Sequence, residues 1–382
     1  MIRTSLKNMQ KCKGEKMSDL SSLALSSTHT LPIRHEGDVY SGKVRSVFWL
    51  KPSDSARLIT SQSYDIHKDS QLGIMIISDR ISAFDCIWRG EEGLMGVPGK
   101  GAALNAISYH WFQQFSQAGL GENHVLDVPH PLAWIVQRAE PIKIEAIARR
   151  HITGSMWRDY ATGKREICGI SIPEGLKEHQ RLPELYITPS TKGILRGIPD
   201  VPEEEDVNIA RKQIIDNYQA FGFLEISDIL TYEQMLRKGF DLIEKGFASI
   251  DEVFVDTKFE FGYVRGNDGK RKIIYQDEVG TPDSSRSWDE KKYAEGEIVE
   301  NSKEGFRQFL LGTLERDILL NKKRMEERKQ LALNYRVPVD TMINVSNTYT
   351  NIAKRITGKT VQSKQNAEQE ILDSLSSYGV LE

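Results

Sequence analysis

A chain of 382 residues exceeds the usual single-domain size and can bury a large core, so two or three subdomains are expected. Its formal charge of −3 and pI near 6.3 supply no overall basic field for nucleic acid or an anionic membrane, which leaves any anion site to local chemistry. Three cysteines, Cys12, Cys86 and Cys168, without metal-ligand spacing argue against a disulfide scaffold and a zinc site and read as packing residues; no apolar run approaches the roughly 20 residues that span a bilayer, so a cytoplasmic protein is expected.

In chain order, residues 1–31 are rich in Ser, Thr and Lys without periodicity, which reads as a disordered extension, with Met17 as an alternative start. Residues 40–50 are expected to form one strand opened by Gly42, with Lys43 and Arg45 on one face and Val44 and Val47 suited to packing. Such a face can hold phosphates, although a solvated strand carries the same pattern. The polar stretch 51–71 reads as a long hairpin loop, and 74–77 as a buried strand running into Ser78-Asp79-Arg80-Ile81-Ser82-Ala83-Phe84-Asp85. Hydroxyls and carboxylates just beyond a strand end suit ligand contact or capping of the next element.

The glycines of 96–101 lack the spacing of a dinucleotide fingerprint, so that stretch is a loop before a helix whose core stripe is Leu104, Ile107, Trp111, Phe112 and Phe115. A strand over 141–147 leads to Arg149, Arg150, Gly154 and Ser155. There, guanidinium forks and helix-end N–H groups could converge on a phosphate, or surface arginines could sit beside an N-cap serine. An acidic, proline-containing loop over 197–206 and amphipathic helices over 208–221 and 232–247 follow.

Residues 253–262 read as a strand, and period two places Asp256, Lys258 and Glu260 on one face. Asp268-Gly269 predicts a two-residue type I′ turn with a return strand over 272–279, which sets Glu260 directly opposite Asp277. Like charges so placed repel. Either a carboxyl is protonated, or Lys258 neutralises the pair, or Glu260 and Asp277 hold Mg²⁺, an ion that takes one or two carboxylates plus waters and phosphate oxygens. The loop beyond presents Arg286, a planar fork suited to clamping an anion. Residues 289–302 read as a charged loop. Two helices are expected after it, the second carrying Met342, Val345, Tyr349, Ile352 and Ile356 with Gly358 as its stop.

The runs DTKFEFG and DEVGTPDSSRSW resemble the signature of the SAICAR synthetase family of purine biosynthesis. GKVR at 42–45, DRISAFD at 79–85, ITGS at 152–155 after Arg149, and TPSTK at 188–192 are similar to further blocks of that family, so the resemblance covers most of the chain. It implies an α+β fold: a small antiparallel ATP-binding sheet and a larger mixed α/β subdomain around a cleft, with C-terminal helices. The matching bounds are an extension at 1–31, a nucleotide-binding subdomain at 32–128, a substrate, ATP and Mg²⁺ subdomain at 129–300, and a helical segment at 301–382.

The activity implied is ATP-dependent ligation of L-aspartate to carboxyaminoimidazole ribonucleotide through an acyl phosphate. Gly42, Lys43, Val44, Arg45, Lys258, Glu260 and Asp277 would bind ATP, the last three being catalytic and Glu260 and Asp277 holding Mg²⁺. Ser82, Asp85, Arg149, Ser155, Asp256 and Arg286 would bind the acceptors. The partners expected are these small molecules, with no nucleic acid and no membrane, and the oligomeric state stays open. Ser46 stands where the family more often has an acidic residue, His151 where a Tyr is common, and 197–206 replaces a histidine-containing segment whose contacts are not carried over. A small-metabolite kinase would use the same ATP and Mg²⁺ groups, and a silent nucleotide-binding module would not need the Glu260–Asp277 pair.

Overall fold

The 14-residue strand Glu252–Arg265 is the axis of the computed structural model, which describes residues 20–363 and 366–382. The disorder expected before residue 20, the alternative start at Met17 and the packing role of Cys12 lie outside the described residues. Aromatic and β-branched residues suit a pleated surface, and this strand buries Phe254, Val255, Phe259, Phe261 and Tyr263. Both of its edges are used. One pairs with Ile144–His151 and Glu140–Pro141, the other with Ser285–Asp289 and Arg271–Gln276, all antiparallel. Arg181–Ile187 and Ser190–Thr191 add to Ile144–His151 and complete seven strands.

A five-stranded antiparallel sheet runs in the order Tyr40–Ser41, Arg45–Trp49, Leu72–Ile77, Ala133–Gln137, Val125–His130. The helix Lys100–Gln117 joins the two sheets, with Phe112 packed edge-on to Trp134 of the smaller sheet at 6.4 Å and Phe115 against Tyr275 of the larger at 4.7 Å. Its expected stripe is wholly buried. Ser227–Ala248 covers the long strand, where Phe240 and Phe247 meet Phe254 at 4.9 and 4.8 Å. Truncating such a core aromatic costs about 3–5 kcal/mol, because the cavity left behind closes only in part.

Several expectations are corrected. Residues 40–50 are a hairpin, with Ser41 opposite Ser46 and the Gly42 N–H donating to the Arg45 carbonyl at 2.8 Å, so Lys43 lies in a turn and not on a strand face. Within 51–71 there is a helix, Pro52–Ser61, which opens on proline and buries Ser55, Leu58 and Ile59 on a narrow face. Residues 20–31 are packed: Leu20, Ala24, Leu25 and Leu31 are buried, and the Leu25 N–H donates to Asp79 at 2.9 Å. The helix expected over 208–221 is only Arg211–Asp216, and the charged stretch 289–302 holds a five-residue helix, Glu290–Ala294.

The second hairpin is out of the expected register by one residue. Glu260 faces Gln276, not Asp277, because the turn has three loop residues. The Gly269 N–H bonds the Gly266 carbonyl at 2.9 Å, Gly269 then adopts φ +80°, and the Gly266 N–H bonds the Lys270 carbonyl at 2.8 Å; this is a type I turn closed by a bulge. The return strand therefore ends at Gln276, and Asp277 stands beyond it at φ +61°.

Among the described residues five α-helices and not two follow Trp288 beyond that short one: Lys303–Thr313, Arg316–Leu320, Met325–Asn334, Val339–Thr357 and Ala367–Ser376, with a 3-10 turn at Lys322–Arg324. The fourth buries Met342, Tyr349 and Ile352 and stops at Gly358, whose φ of +70° is the left-handed cap that glycine adopts without strain. Cys86 is buried and Cys168 half-buried, both as free thiols.

Candidate functional site

Asp256, Lys258 and Glu260 share a face of Glu252–Arg265, and each carboxylate there has two cationic partners. Glu260, 7 % exposed, receives Lys192 on Oε2 and Lys258 on Oε1 at 3.2 Å; Lys258 also donates to Glu145 at 2.7 Å. Burial pushes the Glu260 carboxyl up, and Lys258 and Lys192 more than offset it, holding it well below the usual carboxylate range. Burial likewise favours neutral Lys258, but Glu260 and Glu145 win and hold it charged.

The Asp277 carboxyl is pushed up by burial and by the nearby charges of Glu260 and Glu278, against the pull of Arg45. Arg45 bridges to Asp277 at 3.1 Å and to Glu278 at 2.9 Å. Four carboxylates, Glu145, Glu260, Asp277 and Glu278, thus stand against three cations, Arg45, Lys192 and Lys258. That surplus of negative charge suits a divalent cation. Among the described residues no three His, Cys, Asp or Glu side chains are arranged to hold a metal ion. The Glu260–Asp277 pair fits Mg²⁺, which completes its shell with water and phosphate oxygens, better than an ion that needs an all-protein cage.

At the other end of the face the partners are arginines. Asp256 takes Arg286 at 2.5 Å and Arg149 at 3.3 Å on the same oxygen. Arg149 further donates to Thr188 at 2.9 Å and to the Ser155 hydroxyl at 3.3 Å, and Arg286 pairs with Glu304 at 3.3 Å. Burial lowers the Arg149 pKa, while Asp256 and Glu304 overcome burial at Arg286. The local backbone is fitted to this guanidinium: Gly154 opens the helix Gly154–Ala161 at φ +58°, and a Cβ there would stand 2.6 Å from Arg286 Nη2. Behind Arg286, Glu300 accepts from the Trp288 indole at 2.8 Å and from Ser302 at 3.0 Å, and burial raises its pKa to about 7.

The structure thus gathers Arg45, Lys258, Glu260 and Asp277 at one end and Arg149, Ser155, Asp256 and Arg286 at the other. Lys43 and Asp85 form their own half-exposed pair, with Arg328 4.0 Å from Asp85 and Arg80 donating to the Gly42 carbonyl at 3.3 Å. Val44 is buried, its carbonyl accepting from the Ser78 hydroxyl at 2.8 Å. Ser82 lies on Ile81–Ala83 opposite Ile87, with no hydrogen bond or ion pair to either cluster among the described residues. Reading the sequence missed Glu145, Lys192, Glu278 and Glu304 as members. Lys192 closes the TPSTK run and Glu278 follows Asp277, which are signals in hindsight; Glu145 and Glu304 carry none.

The SAICAR synthetase family model matches residues 38–318. The phosphoribosylaminoimidazole-succinocarboxamide synthase of Vibrio parahaemolyticus is 58 % identical over 365 residues, covering 95 % of this chain and 100 % of that one. That of Shewanella amazonensis is 59 % identical over 354 residues, covering 92 % and 96 %. Among solved structures, SAICAR synthase from Saccharomyces cerevisiae complexed with SAICAR superposes with a TM-score of 0.62 at 23 % identity, over 88 % of this chain and 99 % of that one. A SAICAR synthetase in complex with ADP gives 0.55 at 20 % identity, over 85 % and 100 %. These two likenesses concern the fold.

Proposed function

We propose a division of labour along one strand face, from the premise that the chain belongs to the SAICAR synthetase family and is an ATP-dependent ligase of purine biosynthesis, joining L-aspartate to carboxyaminoimidazole ribonucleotide. A carboxylate is a poor electrophile. An oxygen of the ribonucleotide's carboxylate attacks the γ-phosphorus of ATP, ADP departs, and the resulting acyl phosphate is opened by the aspartate amine; the amide forms as phosphate leaves and the nitrogen gives up a proton.

The observation that carries the assignment of residues is the Glu260 carboxylate held ionised between Lys192 and Lys258, with Asp277 beside it. Glu260 and Asp277 are the pair to hold Mg²⁺, which when bound neutralises charge on the phosphates. Lys258 and Arg45 offset phosphate charge from fixed positions, as does Lys43 from its hairpin, where Gly42 and Val44 shape the turn beside the nucleotide. Catalysis of this kind is mostly positioning plus electrostatics. Arg149, Ser155 and Arg286 suit the sugar phosphate of the ribonucleotide, because two guanidinium forks and a hydroxyl converge there. Asp256 keeps both forks aimed, and Ser82 and Asp85 help orient the acceptors.

The partners are ATP, L-aspartate and the ribonucleotide, in the cytoplasm, without nucleic acid or membrane. No helix among the described residues is long and apolar enough to cross a bilayer. The test is ADP release with ATP, Mg²⁺ and the ribonucleotide, with and without L-aspartate. Turnover that requires aspartate and yields an amide supports the reading; sustained ADP release without aspartate, leaving a stable phosphorylated product, replaces it with a kinase.

A further inference from the structure

Among the charged side chains outside the two clusters, a single buried carboxylate gathers three helices. Asp283 lies near the end of the loop that Asp277 begins, and its side chain is 4 % exposed. Its Oδ2 receives Lys100 Nζ at 2.9 Å, with Lys303 Nζ at 3.4 Å, and its Oδ1 receives the Tyr349 hydroxyl at 2.5 Å. Lys100 and Lys303 are the first residues of their helices, Tyr349 lies midway along Val339–Thr357, and Lys100 and Tyr349 are fully buried.

Inside the loop the same residue continues a chain of contacts. The Asp283 N–H donates to Thr281 Oγ1 at 3.3 Å, the Thr281 hydroxyl donates to Glu278 at 2.8 Å, and Glu278 accepts from Arg45 at 2.9 Å. Arg45 then reaches Asp277 at 3.1 Å. A path of polar contacts therefore runs unbroken from a C-terminal helix to a residue of the proposed metal pair.

Apolar packing would hold a loop against three helices with less desolvation. A buried lysine is costly unless paired, and burial brings Lys303 down to about 8 despite Asp283. Charge with directional hydrogen bonds does what apolar contact does not: it fixes where the loop sits. We propose that Asp283 is a positioning residue for the ligase reaction, anchoring the loop 277–284 to Lys100, Lys303 and Tyr349 so that Asp277 and Glu278 stand where Arg45 and Mg²⁺ need them. The inference rests on the reading of Asp277 as a Mg²⁺ residue.

Two variants of the full chain test it. Asp283→Asn removes the charge but leaves Lys100 buried without a counter-ion and can fail to fold; Tyr349→Phe removes only one hydroxyl and keeps the ring packed. For Tyr349→Phe the expected results are a fall in kcat of about tenfold, a several-fold rise in the Mg²⁺ needed for half-maximal rate, and an unchanged KM for the ribonucleotide. Faster amide exchange confined to the peptide over 277–284 should accompany them. Unchanged kcat and Mg²⁺ requirement overturn the proposal, as does faster loop exchange without a change in Mg²⁺ requirement, or activity lost only in proportion to folded protein. Its failure is read from the ratio of variant to wild type. Failure of the metal reading is read from wild type alone, as turnover indifferent to Mg²⁺.

Discussion

Asp256 and Glu260 sit four residues apart on one face of one strand, both almost fully buried and each held by two cations, yet their surroundings suit different ligands. Around Asp256 the cations are arginines, planar forks with donors to spare, and the neighbouring groups are Thr188, Ser155 and Gly154. Around Glu260 they are lysines, compact point charges, with three further carboxylates close by. A fork-rich end recognises the shape of an anion. An end with surplus carboxylates suits the Mg²⁺ and polyphosphate proposed for it. The pairing of carboxylate with cation is shared; the identity of the cation and the local excess of charge decide the chemistry.

The largest effect should come from removing charge at the proposed metal end. Asp277→Asn is expected to lower kcat by roughly a hundredfold to a thousandfold with little change in melting temperature, checked by steady-state ADP release beside a thermal melt. At the anion end, Arg286→Lys keeps the charge and loses the fork. A rise in KM for the ribonucleotide of about tenfold or more is expected, with a smaller change for ATP; equal changes for both substrates would erase the distinction between the ends.

Lys192→Met probes the Glu260 pair through pH. Because the folded-state pKa of Glu260 lies below its unfolded value near 4.5, the pairing contributes stability above that pH and loses it as pH falls. Without Lys192 that contribution shrinks, so the acid-unfolding midpoint should rise by about half a pH unit, measured by circular dichroism. The smallest effect is expected at Glu300. Its raised pKa means that the folded chain binds the extra proton between about 4.5 and 7, so wild type loses stability as pH rises through that window. Glu300→Gln should remove this loss, narrowing the difference in melting temperature between acidic and alkaline buffer by about 2 °C.

Much of this arrangement is legible in the sequence where a single element determines it. Period two puts Asp256, Lys258 and Glu260 on one face whatever the rest of the chain does, and the stripe from Leu104 to Phe115 marks a helix with a buried face. The turn at Asp268-Gly269 is where reasoning slipped. Asp-Gly serves a two-residue turn, yet a glycine at 269 in the left-handed region equally closes a three-residue turn with a bulge, and one extra residue moves Asp277 off the strand. Pro52–Ser61 escaped because only three of its side chains are buried in an otherwise polar run. Glu145 escaped for a different reason: it reaches Lys258 through a strand pairing set by tertiary structure, of which no local pattern speaks, whereas Lys192, which reaches Glu260, closes the TPSTK run.

The slipped register bears on which side chains position 277 can accept at all. With φ at +61°, the backbone there tolerates glycine, asparagine and aspartate and strains most others by about 1–2 kcal/mol. Of those three, glycine brings no ligand atom and asparagine no charge. Lengthening the reach with glutamate keeps the charge and offends the backbone. Two independent filters, one conformational and one electrostatic, therefore overlap at a single amino acid, so a library randomised at this position should return aspartate even under a selection as weak as partial activity.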